Sequence, residues 1–258
     1  MRQIAVDGLF NARASQGAVP WLLRSGSPDA LTRQGADALR ELGVSVVVDL
    51  REPGESGAVA HGIPVVPVPL YGTEPPRVGR IEDVYEALLR DRGEALAAAV
   101  GVIAEATGAA LVHCTAGKDR TGLVVALARL AAGDDETDVV ADYALSGAHV
   151  RPMREAFALQ LVDGIGADER ADTLRLHLDS PPEAIRHALA LIDARGGAER
   201  YLLAHGLRRD QLELLRAKRA RAVDPTGDAR AVRSMPTVTA PANSAGPADA
   251  AAGSGGSR

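Results

Sequence analysis

The segment His113–Gly122 constrains the fold more than any other part of this chain. It reads His-Cys-Thr-Ala-Gly-Lys-Asp-Arg-Thr-Gly and contains the only cysteine among the 258 residues. An apolar run that predicts a strand, Ala109–Val112, precedes it, and a longer run that predicts a helix, Leu123–Ala132, follows it. We therefore expect a tight loop that joins the end of a buried strand to the start of a buried helix.

Such a loop is suited to holding a tetrahedral anion. Gly117 lets the chain bend so that successive backbone N–H groups point inward, and the following helix directs its positive N-terminus to the same place. Cysteines at helix N-termini have pKa values of roughly 3.5–7.5, because the thiolate is favoured there. Arg120 can hold two oxygens of a phosphate group with its guanidinium. The spacing therefore predicts a sulfur nucleophile, Cys114, beside a bound phosphate.

Two other anion-binding loops do not fit this segment. A Walker A loop requires Gly-x4-Gly-Lys-Ser/Thr, but the first position here is Val112 and the residue after Lys118 is Asp119. A rhodanese loop has four residues between its cysteine and the arginine, whereas five separate Cys114 from Arg120. Neither nucleotide binding of the Walker type nor a rhodanese loop is expected.

The Cys-x5-Arg-Thr-Gly pattern resembles the signature of the protein tyrosine phosphatase superfamily. With the Lys-Asp pair inside the loop, it is similar to the bacterial branch of tyrosine and phosphoinositide phosphatases. Further segments resemble that branch: Asn11-Ala12-Arg13, Leu23-Arg24-Ser25-Gly26, Val46–Arg51, Asp142–Ser146, Tyr201–Leu203 and Leu214–Arg216. The resemblance covers about residues 8–222. It departs from the branch at Ala14-Ser15-Gln16-Gly17, where Asp-x-Gly-Gly is usual.

The resemblance implies an α/β fold, with a protein tyrosine phosphatase-like central sheet flanked by helices and a helical C-terminal half. It also implies the catalytic residues: Cys114 as nucleophile, Arg120 as phosphate clamp and Asp119 as general acid. The implied substrate-binding residues are Thr115, Ala116, Gly117, Lys118 and Thr121, and the supporting residues are His113, Asp49 and Arg51. His113 is expected to orient the loop and not to act as a general base.

Several of these roles have alternatives. Asp119 could instead pair with Arg120 or cap the next helix, and the rival acids are Asp83, Asp91 and Asp142. Lys118 is one of two lysines beside 27 arginines, and we expect it to reach the substrate anion rather than to be a solvated charge. The Thr121 hydroxyl either hydrogen-bonds the cysteine sulfur or caps the helix. Asp49 and Arg51 end a predicted strand, where they either contribute to the site or form a structural ion pair.

The implied activity is cysteine-dependent hydrolysis of phosphate monoesters, with protein phosphotyrosine as the expected substrate and phosphocysteine as the intermediate. The alternatives are a phosphoinositide phosphatase and a catalytically weak module that binds phosphopeptides. We expect no cofactor and no metal, because Arg120 and the loop amides supply the positive field. The histidines outside the loop show no metal-ligand spacing.

Composition restricts the partners and the location. A net charge of -5 gives no indication of a nucleic-acid partner. The single cysteine excludes an internal disulfide and favours a reducing compartment. No apolar stretch is long enough to span a bilayer, and the first 20 residues lack the apolar core of a signal peptide. We expect a cytoplasmic protein without an integral membrane segment, leaving open secretion without a signal peptide, and the sequence indicates no oligomeric state.

The predicted layout is a catalytic domain over residues 1–222 and a disordered low-complexity tail over residues 223–258. The tail is rich in Ala, Pro, Gly and Ser and has no Leu, Ile or aromatic residue, so it cannot bury enough apolar surface to fold. Predicted strands are 21–25, 44–50, 62–70 (an edge strand, because of its prolines) and 109–113. Predicted helices are 32–42, 80–91, 94–106, 121–132, 135–147, 151–164, 182–194, 198–204 and 208–221.

Overall fold

Short strands form a six-stranded mixed sheet at the centre of the protein. The computed structural model describes residues 1–17, 19–55 and 62–223, all within one compact unit, Met1–Pro225. The strands are β1 (Arg2–Gln3), β2 (Arg13–Ala14), β3 (Leu22–Ser25), β4 (Val44–Asp49), β5 (Val65–Pro67) and β6 (Ala109–His113). Their order is β1-β2-β3-β6-β4-β5. The pairs β1–β2 and β2–β3 are antiparallel, and the remaining pairs are parallel.

Helices cover both faces of this sheet. They are α1 (Arg33–Glu41), α2 (Ile81–Asp91), α3 (Gly93–Glu105), α4 (Asp119–Ala132), α5 (Glu136–Ala144), α6 (Ser146–Leu161), α7 (Ala167–Leu178), α8 (Pro182–Asp193), α9 (Gly197–Ala204) and α10 (Arg209–Val223). A 3₁₀ turn spans Pro53–Glu55.

The alternation of side chains along β6 divides the apolar core into two parts. Ala110 and Val112 belong to a large cluster that includes residues of α2–α5 and α8–α10. Ala109 and Leu111 belong to a smaller cluster on the other face, which includes Leu39 of α1. Successive residues of a strand point to opposite faces, and parallel strands are usually covered on both. The central strand that leads into the Cys114 loop is therefore buried on both sides.

The expected α/β fold class is confirmed, and several local signals hold. Thr32 caps α1 and accepts a hydrogen bond from the Gly35 N–H at 3.0 Å, and Gly43 follows that helix with a φ of +78°. The strand predicted over 62–70 is shorter, Val65–Pro67, and lies at the sheet edge as expected. The helix predicted from residue 121 begins two residues earlier, at Asp119.

Besides the 3₁₀ turn, three elements are additions to the predicted layout: β1, β2 and α7. The two strands have only two residues each, which is too short for a periodic pattern to be recognised. The predicted tail, 223–258, lies outside the described residues except for Val223, the last residue of α10. Among the described residues, no helix combines the length and apolarity needed to cross a membrane.

Candidate active site

In the loop at residues 114–118, the carbonyl groups of Ala116 and Gly117 turn outward. The Ala116 carbonyl accepts a hydrogen bond from Asn11 Nδ2 at 3.1 Å. The Gly117 carbonyl accepts two, from Asn11 Nδ2 at 2.9 Å and from Arg24 Nη2 at 2.8 Å. Because a trans peptide places its N–H opposite its C=O, the N–H groups of the same two peptides turn inward. They donate to no other described residue, so they form a concave set of donors suited to a tetrahedral anion.

Glycine is required at the centre of this loop. Gly117 has a φ of +67°, in the left-handed region, and a Cβ atom there would lie 2.2 Å from the Ser25 carbonyl oxygen. Asn11 also has a positive φ, +54°, which asparagine tolerates better than most residues. The two residues that meet at the back of the loop therefore share an uncommon backbone conformation.

Beneath the loop lies a buried polar cluster that we call the support network: Asn11, Arg13, Arg24, Asp142 and Ser146. Arg13 donates to Asp142 Oδ1 at 2.7 Å, to Asn11 Oδ1 at 2.6 Å and to Ser146 Oγ at 2.9 Å. Arg24 Nη1 donates to Asp142 Oδ2 at 2.8 Å. The side chains of both arginines and of Asp142 are each 1% exposed. Through Asn11 and Arg24, this network fixes the backbone of the loop.

Cys114 follows the last residue of β6 and is buried, with 3% of its surface exposed. Burial alone raises the pKa of the thiol. The charge of Arg120 and hydrogen bonding from the Thr121 hydroxyl and N–H outweigh this, so the pKa lies below its ordinary value. The Thr121 hydroxyl makes no hydrogen bond of standard geometry among the described residues, which leaves it available to the sulfur. The site therefore favours the thiolate.

His113, Asp49 and Arg51 lie beside the cysteine at the carboxyl ends of β6 and β4. His113 Nε2 is 3.7 Å from Asp49 Oδ2. Burial lowers the pKa of His113 to about 4, so its imidazole is neutral near pH 7. Arg51 pairs with Asp49 and with Asp29, each at 2.9 Å. Arg51 therefore takes part in structural ion pairs. This is the alternative to a contribution to the site that the sequence left open.

Arg120 is held from one end by Glu55, a residue that the sequence analysis did not identify. Arg120 Nη1 and Nη2 donate to the two Glu55 oxygens at 2.6 and 2.8 Å. The same oxygens accept from the Thr115 hydroxyl at 2.6 Å and from the Glu52 N–H at 3.0 Å. Burial raises the pKa of Glu55, but the bonds to Arg120 and its charge outweigh burial and hold it at about 2.

This arrangement leaves one part of the guanidinium available. A carboxylate has about four lone-pair positions. The four hydrogen bonds that Glu55 accepts fill these positions, and no backbone N–H of the loop is among the donors. Arg120 Nη1 also donates to the Leu50 carbonyl at 3.3 Å. The Nε–H of Arg120 donates to no described residue. Glu55 therefore holds the arginine without occupying the amides of the anion site.

Asp119 begins α4 and faces the same cavity. Its Oδ1 accepts from Lys118 Nζ at 2.7 Å and from the Tyr85 hydroxyl at 2.8 Å, whereas its Oδ2 accepts from no described residue. We predicted that Lys118 reaches the substrate anion. Here its side chain is 0% exposed, against 17% for Asp119, and its ammonium contacts the aspartate.

A small cavity of about 70 Å³ brings these groups together. It is lined by Cys114, Thr115, Ala116, Asp119 and Arg120 of the predicted site, and by Glu55, Tyr71, Pro75, Pro76, Arg154, Leu176 and His177. Gly117, Lys118 and Thr121 are not among its lining residues. The cavity shares six lining residues with a larger groove of about 800 Å³. The groove therefore has room for the bulk of a substrate.

Arg154 is a second cation at this cavity that the sequence analysis missed. Its guanidinium lies 4.3 Å from the centroid of the Phe157 ring, one turn further along α6. Phe157 in turn packs edge-on against His177 of α7. Arg154 makes no ion pair with another described residue, and burial lowers its pKa.

The rival acids lie elsewhere. Asp83 and Asp91 are exposed and lie near or pair with the neighbouring Arg80 and Arg90, and Asp142 belongs to the support network. None of the three lines the cavity with Cys114. Within residues 1–17, 19–55 and 62–223, no group of three or more His, Cys, Asp or Glu side chains is placed to hold a metal ion.

Comparison with known protein families identifies the chain. A family model described as the tyrosine phosphatase family matches residues 7–220. The chain belongs to the tyrosine phosphatase family. It is similar to a tyrosine-protein phosphatase of Nostoc commune, 28% identical over 217 residues that cover 76% of this chain and 73% of the relative. A putative tyrosine-protein phosphatase of Cupriavidus necator is 29% identical over 229 residues, 80% of this chain and 78% of the relative.

Solved structures also align with this chain. The Siw14 catalytic core aligns with a TM-score of 0.40 and 19% identity, over 67% of this chain and 94% of that one. TpbA of P. aeruginosa aligns with a TM-score of 0.32 and 20% identity, over 82% of this chain and 91% of that one. As a member of the tyrosine phosphatase family, the protein is a phosphatase and acts on phosphorylated substrates.

Proposed function

We propose that this phosphatase hydrolyses protein phosphotyrosine through a phosphocysteine intermediate, with Cys114 as nucleophile. The observation that carries the proposal is the position of the Cys114 thiol in one cavity with Arg120 and Asp119. The inward N–H groups of the loop and the Nε–H of Arg120 are the unused donors for the phosphoryl oxygens. No other nucleophile of comparable character lies at this cavity among the described residues.

In the first step the Cys114 thiolate attacks phosphorus in line, the S–P bond forms and the P–O bond to the leaving group breaks. The loop amides and Arg120 hold the equatorial oxygens as their charge shifts. Asp119, protonated at Oδ2, gives its proton to the departing oxygen. The products are a phosphocysteine, the free alcohol or phenol and the Asp119 carboxylate.

In the second step the same carboxylate takes a proton from water, and the water oxygen attacks phosphorus. The S–P bond breaks, inorganic phosphate leaves and the Cys114 thiolate is restored. The Thr121 hydroxyl and N–H stabilise that thiolate as the leaving group. Asp119 ends the cycle protonated, ready for the next substrate.

The phosphoinositide alternative depended on an added positive charge from the Lys-Asp pair. Lys118 is buried against Asp119, so that reason no longer favours a polyanionic head group. The cavity wall instead presents Tyr71, Pro75 and Leu176, which are suited to an aromatic leaving group. These contacts support phosphotyrosine as the substrate.

The test is a turnover comparison on one enzyme preparation, with phosphotyrosine peptides, phosphoserine/threonine peptides and phosphoinositides. We expect the highest kcat/KM on phosphotyrosine. Cys114→Ser should abolish turnover of every substrate, because loss of a catalytic nucleophile costs on the order of 10⁶ in kcat in other enzymes. Binding of inorganic phosphate to Cys114→Ser should persist. Faster turnover of phosphoinositides than of phosphotyrosine would contradict the substrate, and an active Cys114→Ser would contradict the nucleophile.

A further inference from the structure

The two basic residues of the loop have different surroundings. Arg120 lines the cavity, whereas Lys118 is fully buried and its Nζ contacts Asp119 Oδ1 at 2.7 Å. A lysine that served as a phosphate ligand would have to place its ammonium at the anion site. In this structure the ammonium donates to Asp119, and Lys118 does not line the cavity.

The two oxygens of Asp119 are unequal. Oδ1 accepts from both Lys118 and Tyr85, which fills its two lone-pair positions. Oδ2 accepts from no described residue. The carboxylate is therefore held by one oxygen, and the other is left for a partner in the cavity.

A second tyrosine fixes the direction of these bonds. The Tyr85 and Tyr143 hydroxyls are 2.6 Å apart. Because Tyr85 gives its only proton to Asp119, Tyr143 is the donor in that pair. Burial raises the pKa of both phenols well above its ordinary value, so both remain neutral donors. Their rings also pack edge-on, 6.2 Å apart.

We propose that Lys118 and Tyr85 form a clamp on Asp119 Oδ1 that presents Oδ2 to the leaving group, and that Lys118 acts through Asp119 rather than on the phosphate. Both are then positioning residues. The inference rests on the proposed role of Asp119 as general acid and base. It assigns one purpose to the Lys-Asp pair inside the loop: a buried cation beside the carboxylate fixes the oxygen that exchanges protons.

The decisive test is a double-mutant cycle between Lys118→Met and Asp119→Asn, measured as kcat on a phosphotyrosine peptide. General acid–base catalysis typically contributes about 10²–10⁴-fold, so we expect Asp119→Asn to lose activity in that range and Lys118→Met to lose at least about 10-fold. On the Asp119→Asn background, Lys118→Met should cause no further loss, because its effect passes through the aspartate. Additive losses in the double variant would overturn the proposal.

Binding of inorganic phosphate provides a second readout. Its Kd, measured by calorimetry, should change less than about 2-fold in Lys118→Met, against a loss of about 10-fold or more expected for Arg120→Lys, where a charged bidentate contact is disturbed. Weaker phosphate binding with retained kcat in Lys118→Met would show that Lys118 is a phosphate ligand.

Tyr85→Phe is the milder variant and serves if Lys118→Met does not fold. It should lower kcat about 10- to 100-fold, the range expected for loss of one hydrogen bond to a charged group. The loss should be greater on phosphotyrosine than on an activated nitrophenyl ester, whose leaving group needs less protonation. Equal losses on both substrates would mean that Tyr85 only supports the fold, and would overturn its part in the clamp.

The chain offers matched controls for both variants. Lys218 is the other lysine, and its Nζ donates to the backbone carbonyls of Ala106 and Gly108. Tyr201 is a buried tyrosine whose hydroxyl donates to the Leu89 carbonyl at 2.8 Å. Lys218→Met and Tyr201→Phe should leave the leaving-group dependence unchanged. If instead Asp119→Asn retains full activity on phosphotyrosine, the proposed acid is wrong, a result that the clamp variants cannot mimic.

Discussion

The support network beneath the loop and the charged groups at the cavity use the same residue types for different ends. Beneath the loop, Asp142 accepts from two arginines, one on each oxygen, and Arg13 donates from all three of its nitrogens. At the cavity, Arg120 retains an unused Nε–H and Asp119 an unused oxygen. The Arg13–Asp142 pair, in which every nitrogen of Arg13 donates and both oxygens of Asp142 accept, fixes geometry. The ion pairs at the cavity keep one position open and are left able to meet a substrate.

Burial reinforces this contrast. The Arg13–Asp142 pair is 1% exposed on both sides, whereas Glu55 and Asp119 are 19% and 17% exposed. Removing one member of a fully buried pair leaves an uncompensated charge. The variants of the support network should therefore mainly affect folding, and variants at the cavity should mainly affect catalysis.

The largest effect on stability is expected for Asp142→Asn. It leaves Arg13 and Arg24 as two neighbouring buried cations, and breaking a buried pair costs about 3–5 kcal/mol. Chemical denaturation of the variant and the parent gives the free energy of unfolding. A decrease in the free energy of unfolding of less than about 1 kcal/mol would mean that the network contributes no more than surface ion pairs do. The proposed difference between the network and the cavity would then be wrong.

Asp142 also predicts how stability depends on pH. Burial raises the pKa of Asp142, but the charges of Arg24 and Arg13 outweigh it and hold the pKa at about 2. In the unfolded chain the pKa of an aspartate is about 3.9. The stabilisation is thus complete above about pH 4 and is lost as the pH falls towards 2. The Asp142→Asn variant should lack this part of the acid dependence.

Glu55→Gln should have an intermediate effect, on catalysis. Hydrogen bonds to charged groups contribute about 1.5–3 kcal/mol, so loosening Arg120 should lower kcat/KM by about 10- to 100-fold. The free energy of unfolding should fall less than in Asp142→Asn, because Glu55 is more exposed than Asp142. Steady-state kinetics measures the effect on kcat/KM, and thermal unfolding measures the effect on stability. An increase in kcat/KM would mean that Glu55 competes with phosphate for the arginine instead of positioning it.

Ser146→Ala removes a neutral member of the support network. Ser146 Oγ accepts from Arg13 at 2.9 Å and from Arg24 at 3.3 Å, while Asp142 continues to neutralise both arginines. We expect a loss of about 1 kcal/mol in stability, the usual contribution of a hydrogen bond, with kcat retained. A loss as large as that of Asp142→Asn would show that the hydroxyl, and not the charge, maintains the network.

The smallest effect is expected for Asp91→Asn and Asp83→Asn. Both aspartates are exposed, near or paired with neighbouring arginines, and absent from the cavity with Cys114. Neither kcat on phosphotyrosine nor its leaving-group dependence should change measurably. A selective loss on phosphotyrosine in either variant would identify that residue as the acid in place of Asp119.

The parts of the fold that the sequence predicts are those with strong local signals. The strand–loop–helix around Cys114 has an apolar strand, a glycine turn and an apolar helix in succession, and α1 has a capping threonine and a terminating glycine. Helix α7 was not predicted. Its sequence, Ala-Asp-Glu-Arg-Ala-Asp-Thr-Leu-Arg-Leu-His-Leu, is mostly polar at first and buries only Thr173, Leu176 and Leu178. This helix is stabilised by packing against α6, and the local sequence pattern contains no information about that packing.

Whether a site residue could be predicted also depends on its distance along the sequence from the residues it contacts. Residues 113–121 are contiguous, so a single motif contains them. Glu55 lies 65 residues from Arg120, and Tyr85 lies 34 residues from Asp119. Nothing in the spacing of a single sequence connects such pairs. Asn11 and Arg24 were noticed only through the resemblance to a family, and Asp142 also as a rival acid. Their role as supports of the loop required coordinates.

The anchoring of the Gly117 carbonyl by Asn11 and Arg24 bears on the thermodynamics of anion binding. Restricting the backbone of one residue costs about 1–2 kcal/mol of conformational entropy at 25 °C. For this loop that ordering occurs when the protein folds, because the carbonyls are held before any ligand arrives. An incoming phosphate loses little of its binding energy to organising the loop. Product phosphate therefore also finds a ready site, and its dissociation becomes a step that can govern the rate of turnover.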